Sequence, residues 1–515
     1  MKLSDVQRDI VKTKGNLIVS ASAGTGKTHT MVAKIERELE DNHSHKVIAA
    51  ITFTIKASKE IRERLKIDIS ECFIGTNNSF VIEEIIKPFA RDVYGAEYNT
   101  EMSTDYSVKK RSFDECMEYL RSRKTICSFD DNKQNFVFQL ALEIVKQSDA
   151  CRRFLQARYF KIYVDEYQDC DRMMHNFFMY LCNQLNIELF VVGDDKQSIY
   201  IWRGAYPEAF RSIMKMDNFK LIKMRENHRS CIQIQNYSNL LNEDTRNLYT
   251  KIEDLSRIVF VSSTRKNWVQ DILPYINLEQ ECALLRFKNE NAKIGAEMLS
   301  SSGVNFVYVP KTPISEISTN VAWLYSAIAQ YFILQKYSIY DFLNDIPEEA
   351  IGDRQIRGFM QNALSMIGNA INNNDEEKII EHVHSIASYL NYKADDNHIR
   401  DMINTIIHEE YYPAFQMDEL SHVAITFHSS KGLEYEQVIV MANDYALTKE
   451  DSIYNHYVAV TRAKNKLIIV KICDENAWAA ESYCRNIRRI FAAKELEPED
   501  VMTIIHNEIQ NGLYI

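Results

Sequence analysis

The chain has 515 residues, 46% hydrophobic and 26% charged, the ordinary balance of a globular protein with roughly three or four domains' worth of core, which excludes fibrous and disordered classes. A net charge of −11 and a pI near 5.7 argue against a protein that holds nucleic acid through a global positive field, so any such contact must be local. Ten cysteines without a CxxC pair fit neither a zinc ribbon nor a disulfide framework; with no cationic leader and no apolar run near about 18 residues, a cytoplasmic protein with reduced thiols and no membrane association is expected.

The first chemistry lies at residues 16–28. NLIVSA (16–21) reads as a buried parallel strand, GTGK as a tight loop, and Met31, Ile35 and Leu39 repeat at helical spacing. In ASAGTGKT (21–28) the backbone of Ala23, Gly24, Thr25 and Gly26 can approach phosphate oxygens, Lys27 can reach the outer phosphates, and the Thr28 hydroxyl suits Mg²⁺. Ala21 replaces the usual first glycine of the loop. In TFTIKASKEIRERL (52–65), Lys56, Lys59 and Arg62 or Arg64 fall near one helical stripe, a local patch for phosphates or a plain solvated face.

Phe160 to Val164 then deliver Asp165 and Glu166 to a strand end. Two adjacent acids there divide labour, Asp165 holding Mg²⁺ and Glu166 accepting a proton from water; the competing reading is an acidic first turn of a helix. GDDKQSIYIWRGA (193–205) sets Gln197, suited to sensing a phosphate, just before Tyr200, Trp202 and Arg203, suited to gripping bases. Coupling between nucleotide and nucleic acid follows, against the plainer alternative of a buried strand and turn with Trp202 in the core. Near the C-terminal end, residues 423–440 and 456–470 each join β-branched strand text to a polar loop, and Arg462 in VAVTRAK has the position of an arginine offered to a phosphate from a second domain. A surface ion pair is the alternative for that arginine.

In this order the segments resemble the superfamily 1 DNA helicases of the UvrD, Rep and PcrA kind. The resemblance implies an α/β fold of two RecA-like parallel-sheet domains, each with a mainly helical insertion: residues 1–80 and 150–225 for the first, 81–149 for its insertion, 226–312 and 419–515 for the second, 313–418 for its insertion. It implies ATP and Mg²⁺ held by Gln7 of LSDVQ at the adenine, by Lys27, Thr28, Asp165, Glu166 and Gln197, by Arg229 of ENHRS, by Glu434 of KGLEYEQ at the ribose, and by Arg462. Single-stranded or end-containing DNA would meet Phe53, Lys56, Thr76, Tyr200, Trp202, Arg203 and His428.

Departures are visible. Ile55 stands where that family has Asn, Asn77 and Asn78 where it has Phe and His, and His228 where it has Tyr, a smaller ring for stacking on adenine. The compact plan, with GTNNSFVIEEIIKPFARDVYG and DEYQDCDRMMHNFFMYL, resembles the helicase subunits of the Gabija anti-phage system. That implies a partner, an OLD-family nuclease subunit with a Toprim domain (Gabija protein A). The expected activity is a 3′-5′ helicase or, alternatively, a DNA-activated (d)NTPase that unwinds little. Tyr389, Tyr392, Tyr411 and Tyr412 offer surface to such a partner or fill a small helical core.

Overall fold

The computed structural model describes residues 3–99, 101–201, 204–317, 319, 321–346 and 356–506. They form two compact units, residues 1–100, 129–288 and 426–515 in the first and residues 101–128 and 289–425 in the second.

Within the first unit the alternation of short apolar strands with amphipathic helices builds two parallel sheets, called lobes below. The first lobe's six strands run in the order Phe73–Thr76, Val47–Thr52, Tyr159–Val164, Glu188–Gly193, Leu17–Ala21 and Lys220–Met224. All are parallel, with Leu17 opposite Phe190 on one side and Lys220 on the other. Leu17–Ala21 is buried along its whole length, as a strand covered on both faces must be. Helix Lys27–Glu40 lays Met31 and Ile35 on that sheet, against Leu17, Val19 and Tyr163. Because the strands are parallel, Ala21, Thr52, Thr76, Val164 and Gly193 all end at one edge, and the loops after them collect there, where α/β sheets bind ligands.

The second lobe has Cys282–Arg286, Tyr435–Met441, Ala463–Ile472, Ile258–Ser263 and Thr503–His506, also parallel in that order. One local expectation changes. The β-branched text at Val458 and Val460 closes helix Glu450–Val460, so Arg462 stands in a helix-to-strand turn. Burial on all sides makes a short apolar run read alike as strand or helix.

The second unit is mainly helical. Helices Ala322–Ile333, Ile356–Asn372, Glu376–Tyr389 and Asp396–Ile407 share a core that includes Leu324, Ile328, Leu364, Val383 and Ile399. Tyr389, Tyr392 and Tyr412 pack against it, Tyr389 stacked on Phe359 with ring centroids 4.1 Å apart. These three rings are partly buried against that core. The unit also contains strand Ser103–Lys110, helix Phe113–Arg123 and residues 125–128 of the strand Thr125–Phe129 that pairs with the first, whereas residues 81–99 and 129–149 pack in the first unit. Among the described residues no helix is long and apolar enough to cross a membrane.

Candidate nucleotide site

Helix Lys27–Glu40 starts at Gly26, which has φ 81° and ψ 39° and leaves the first turn without a side-chain cap. Its free N–H groups and positive dipole end form a ready anion seat. Gly24 has φ +72°, and a Cβ there would stand 2.5 Å from Asn227 Oδ1 and 2.8 Å from Arg229 Cβ. Glycine alone admits the ENHRS segment so close to the loop. Gln7 is buried; its Oε1 accepts the Ser4 N–H at 2.9 Å and its Nε2 donates to the Thr25 carbonyl at 3.1 Å. The Gln7 amide thus braces the loop. His228 is exposed and its N–H donates to Gly24 O at 2.8 Å. Ala23 is buried and Thr28 half-buried.

The acid pair sits at the end of Tyr159–Val164. Glu166 is left-handed, φ 49° and ψ 41°, which turns the chain sharply, and Asp165 Oδ1 accepts its N–H at 2.9 Å. Lys27 Nζ lies 3.2 Å from Glu166 Oε1, and Gln168 donates to Oε2. Lys431 from the second lobe pairs with Asp169 and lies 3.8 Å from Glu166 Oε2. Burial opposes charge on Glu166, but Lys27, Lys431 and the Gln168 hydrogen bond hold its pKa well below the usual carboxylate range. Burial and then the neighbouring Glu166 charge raise Asp165, and burial lifts Asp169 to about 6 despite Lys431. An oxygen set of Thr28 and Asp165 beside open backbone N–H groups fits a Mg²⁺–nucleotide: a hard cation takes one or two carboxylates plus phosphate oxygens and would reverse the penalty on Asp165.

Arg462 completes the site from the other lobe. Only 2% exposed, it donates from Nε to Val458 O at 2.9 Å, from Nη1 to Leu433 O at 3.3 Å and from Nη2 to Gln197 Oε1 at 3.4 Å. Burial and then the Arg229 charge lower its pKa to about 10. Gln197 Nε2 is held at 2.8 Å by Asp194 Oδ2. Arg229 Nε lies 2.6 Å from Glu434 Oε2, and Lys464 lies 3.4 Å from Glu434 Oε1. Lys27, Asp165, Glu166, Gln197, Arg229, Glu434 and Arg462, expected from scattered segments, thus surround one space. Lys431, Asp194 and Tyr457 escape sequence reasoning, although each lies in a motif already singled out, three residues before Glu434, three before Gln197 and five before Arg462.

At the same sheet edge, half-buried Phe53 precedes helix Ile55–Arg64, on which Lys56 is exposed. Thr76 caps helix Asn77–Val81 and hydrogen-bonds Ser79, while Asn77 is buried at 4%. Lys431 Nζ lies 4.8 Å from the Tyr200 ring centroid; the His428 ring is 6.5 Å from Tyr200 and 3.8 Å from Phe427. Trp202 and Arg203 lie outside the described residues.

The family model of the UvrD/REP helicase N-terminal domain matches residues 3–87 and 80–218, and that of the UvrD-like helicase C-terminal domain matches residues 421–470. Gabija protein GajB of Bacillus cereus (strain VD045) is 38% identical over 474 residues, 90% of this chain and 94% of that protein. DNA helicase II of Haemophilus influenzae is 26% identical over 367 residues, 58% of this chain and 50% of that protein. ATP-dependent DNA helicase PcrA of Bacillus subtilis is 25% identical over 401 residues, 62% and 52% of the two chains. The chain spans about half the length of these last two relatives. With loop, acid pair and arginines drawn from the matched segments and nearly full-length similarity to GajB, the chain belongs to the UvrD-like helicase family as a homologue of Gabija protein GajB.

Proposed function

We propose that the chain is an ATP-dependent DNA translocase of the helicase class, moving 3′-5′ on a single strand and acting in anti-phage defence with an OLD-family Toprim nuclease. The observation that carries the ATPase part is the convergence of Lys27 on Glu166 at 3.2 Å with Arg462 on Gln197 at 3.4 Å, a base and two cations from two lobes around one phosphate seat. When Mg²⁺ is bound it neutralises charge on the phosphates. Gln7 braces the loop, and Lys27 leaves Glu166 for the outer phosphates. Glu166, then released by Lys27 with Lys431 still 3.8 Å away, accepts the proton of the attacking water. Arg229 and Arg462 stabilise the charge that develops on the phosphoryl oxygens. Gln197 senses the phosphate and passes its shift to the Tyr200–Arg203 run on the strand.

The defence role and the nuclease partner rest on the similarity to GajB. One observation favours the alternative, a DNA-activated (d)NTPase that assists the nuclease with little unwinding: Asn77 is buried and Ile55 is 64% exposed, so neither offers a strong grip on a base. Strand displacement of duplexes with 3′ and 5′ tails, run beside ATP and dATP turnover with and without single strands, separates the two. Unwinding from a 3′ tail supports the helicase, and stimulated turnover without displacement supports the alternative. Turnover indifferent to DNA sinks both. Co-expression with the nuclease and sizing of the product tests the partner; separate elution refutes it.

A further inference from the structure

Helix Glu450–Val460 reaches the other lobe through Glu450 and Tyr454, which meet Arg211, and through Tyr457, which meets the phosphate loop. Tyr457 is buried, and its hydroxyl accepts the Ala23 N–H of the phosphate loop at 3.2 Å and donates to Asp194 Oδ2 at 3.3 Å. Packing alone would be served by phenylalanine, whereas this phenol has both hydrogen bonds satisfied by the opposite lobe. Asp194 has no exposed surface; its N–H donates to Gln168 Oε1 at 3.0 Å, Lys196 Nζ lies 2.8 Å from Oδ1, and Gln197 Nε2 donates to Oδ2 at 2.8 Å. With Lys196 itself buried, the carboxylate is held ionised and acceptor-only, which fixes the phenol proton toward Asp194 and leaves its lone pair for Ala23.

The same hydrogen bonds run on to the chemistry. Gln168 donates to Glu166, and Gln197 leaves its Oε1 for Arg462 Nη2. On the helix side, Thr461 Oγ1 donates to Tyr457 O at 2.8 Å and Arg462 Nε donates to Val458 O at 2.9 Å, so the turn that bears the phenol is also the seat of the arginine. We propose that Tyr457 is a positioning residue that ties the phosphate loop to the Arg462 seat and, through Asp194, to Gln197 and Gln168. A displacement of the loop by incoming phosphates is thereby delivered to the arginine through the Tyr457 hydroxyl. The inference rests on the ATPase reading above.

Tyr457→Phe in the full chain keeps the ring and removes the tie. Two measurements decide it. In the nucleotide-free protein, amide hydrogen exchange at residues 21–24 should accelerate about tenfold or more, since the Ala23 N–H loses its acceptor. At saturating ATP and single-stranded DNA, kcat should fall about tenfold or more with KM for ATP within about twofold. In an Arg462→Ala background the same change should lower kcat less than about twofold, because the tie acts through that arginine. Unchanged exchange, a wild-type kcat, or full additivity with Arg462→Ala overturns the proposal. Should Tyr457→Phe fail to fold, Tyr457→Leu, which also removes the hydroxyl, is read by the same two measurements in its place. If the wild-type protein does not hydrolyse ATP, the ATPase reading fails and the exchange measurement alone decides whether the tie exists.

Discussion

Replacing Arg462 tests the two-lobe site most directly, and the structure sets what to expect. The guanidinium is 2% exposed and hydrogen-bonds Val458, Leu433, Gln197 and Thr461. Arg462→Ala strips donors from three buried acceptors and one part-buried one, a loss of about 1–3 kcal/mol for those left unsatisfied. Against this stands a charging cost: lowering the pKa from 12.5 to about 10 corresponds to on the order of 3 kcal/mol that the folded state spends to keep the cation buried beside Arg229. The two effects oppose each other, so the melting temperature should move by only a few degrees. Turnover should not share that tolerance. A cation acting on the transferring phosphoryl group is worth about 1000-fold or more in kcat, or roughly 4 kcal/mol. Arg462→Lys restores charge but not the planar fork and should recover only a part. ATP turnover at saturating single-stranded DNA, beside thermal unfolding of the same preparations, gives both numbers. A wild-type rate in Arg462→Ala, or a collapse of the melting temperature that alone accounts for the lost activity, refutes the reasoning.

Glu166→Gln should bind ATP yet lose about 1000-fold in turnover, and Lys27→Ala should lose both turnover and nucleotide affinity; equal loss of binding in the two would contradict the separate roles, read by equilibrium binding of a fluorescent nucleotide. Trp202→Ala should cost roughly 1–3 kcal/mol of single-strand affinity with basal turnover intact, and binding should weaken steeply with salt. A sharp fall in melting temperature with unchanged affinity would return that ring to the core. Away from the site, Glu38 lies between two buried lysines, 2.9 Å from Lys34 Nζ and 2.6 Å from Lys161 Nζ, so Glu38→Ala should destabilise by about 3–5 kcal/mol. Burial opposes the Glu38 charge, but Lys161 and Lys34 depress its pKa below 4.5; its contribution is therefore present above that value and lost as pH falls through the depressed one. Urea unfolding followed from pH 7 to well below pH 4.5 should show the advantage of the wild type over Glu38→Ala narrowing on acidification, and a pH-independent difference would count against the ion pair.

The phosphate loop and the acid pair are legible because the chemistry is local: one strand, one turn, one helix start, all within ten to fifteen residues of text. The gathering of Gln197, Arg229, Glu434 and Arg462 is legible only through the order of segments, since no spacing in the chain brings residue 462 to residue 197. Lys431 and Tyr457 are not legible at all, because an ion pair with Asp169 and a hydrogen bond to Ala23 depend on how two sheets face each other. The tyrosines of the helical unit are left undecided by sequence for a related reason. A ring at the edge of a small core, like Tyr389 on Phe359, has the same sequence surroundings as one that faces water. Nor does sequence place residues 101–128 with a unit that resumes at residue 289.

The chain crosses between the two sheets at residues 228–231, and it is pinned on both sides of the crossing. His228 N–H is held by Gly24 O at 2.8 Å, with Asn227 pressed on the methyl-free face of that glycine. Two residues on, Ser230 Oγ donates to Ala463 O at 2.7 Å and Cys231 N–H to Lys464 O at 2.7 Å. Any rotation of one lobe against the other at this crossing is therefore taken up over the peptide units around Arg229. The turn that carries Arg462 is tied to the same place, since Arg229 Nη1 donates to Thr461 O at 3.3 Å and Ser230 holds Ala463 O. The two arginines therefore share one anchorage, and a shift at the crossing reaches both.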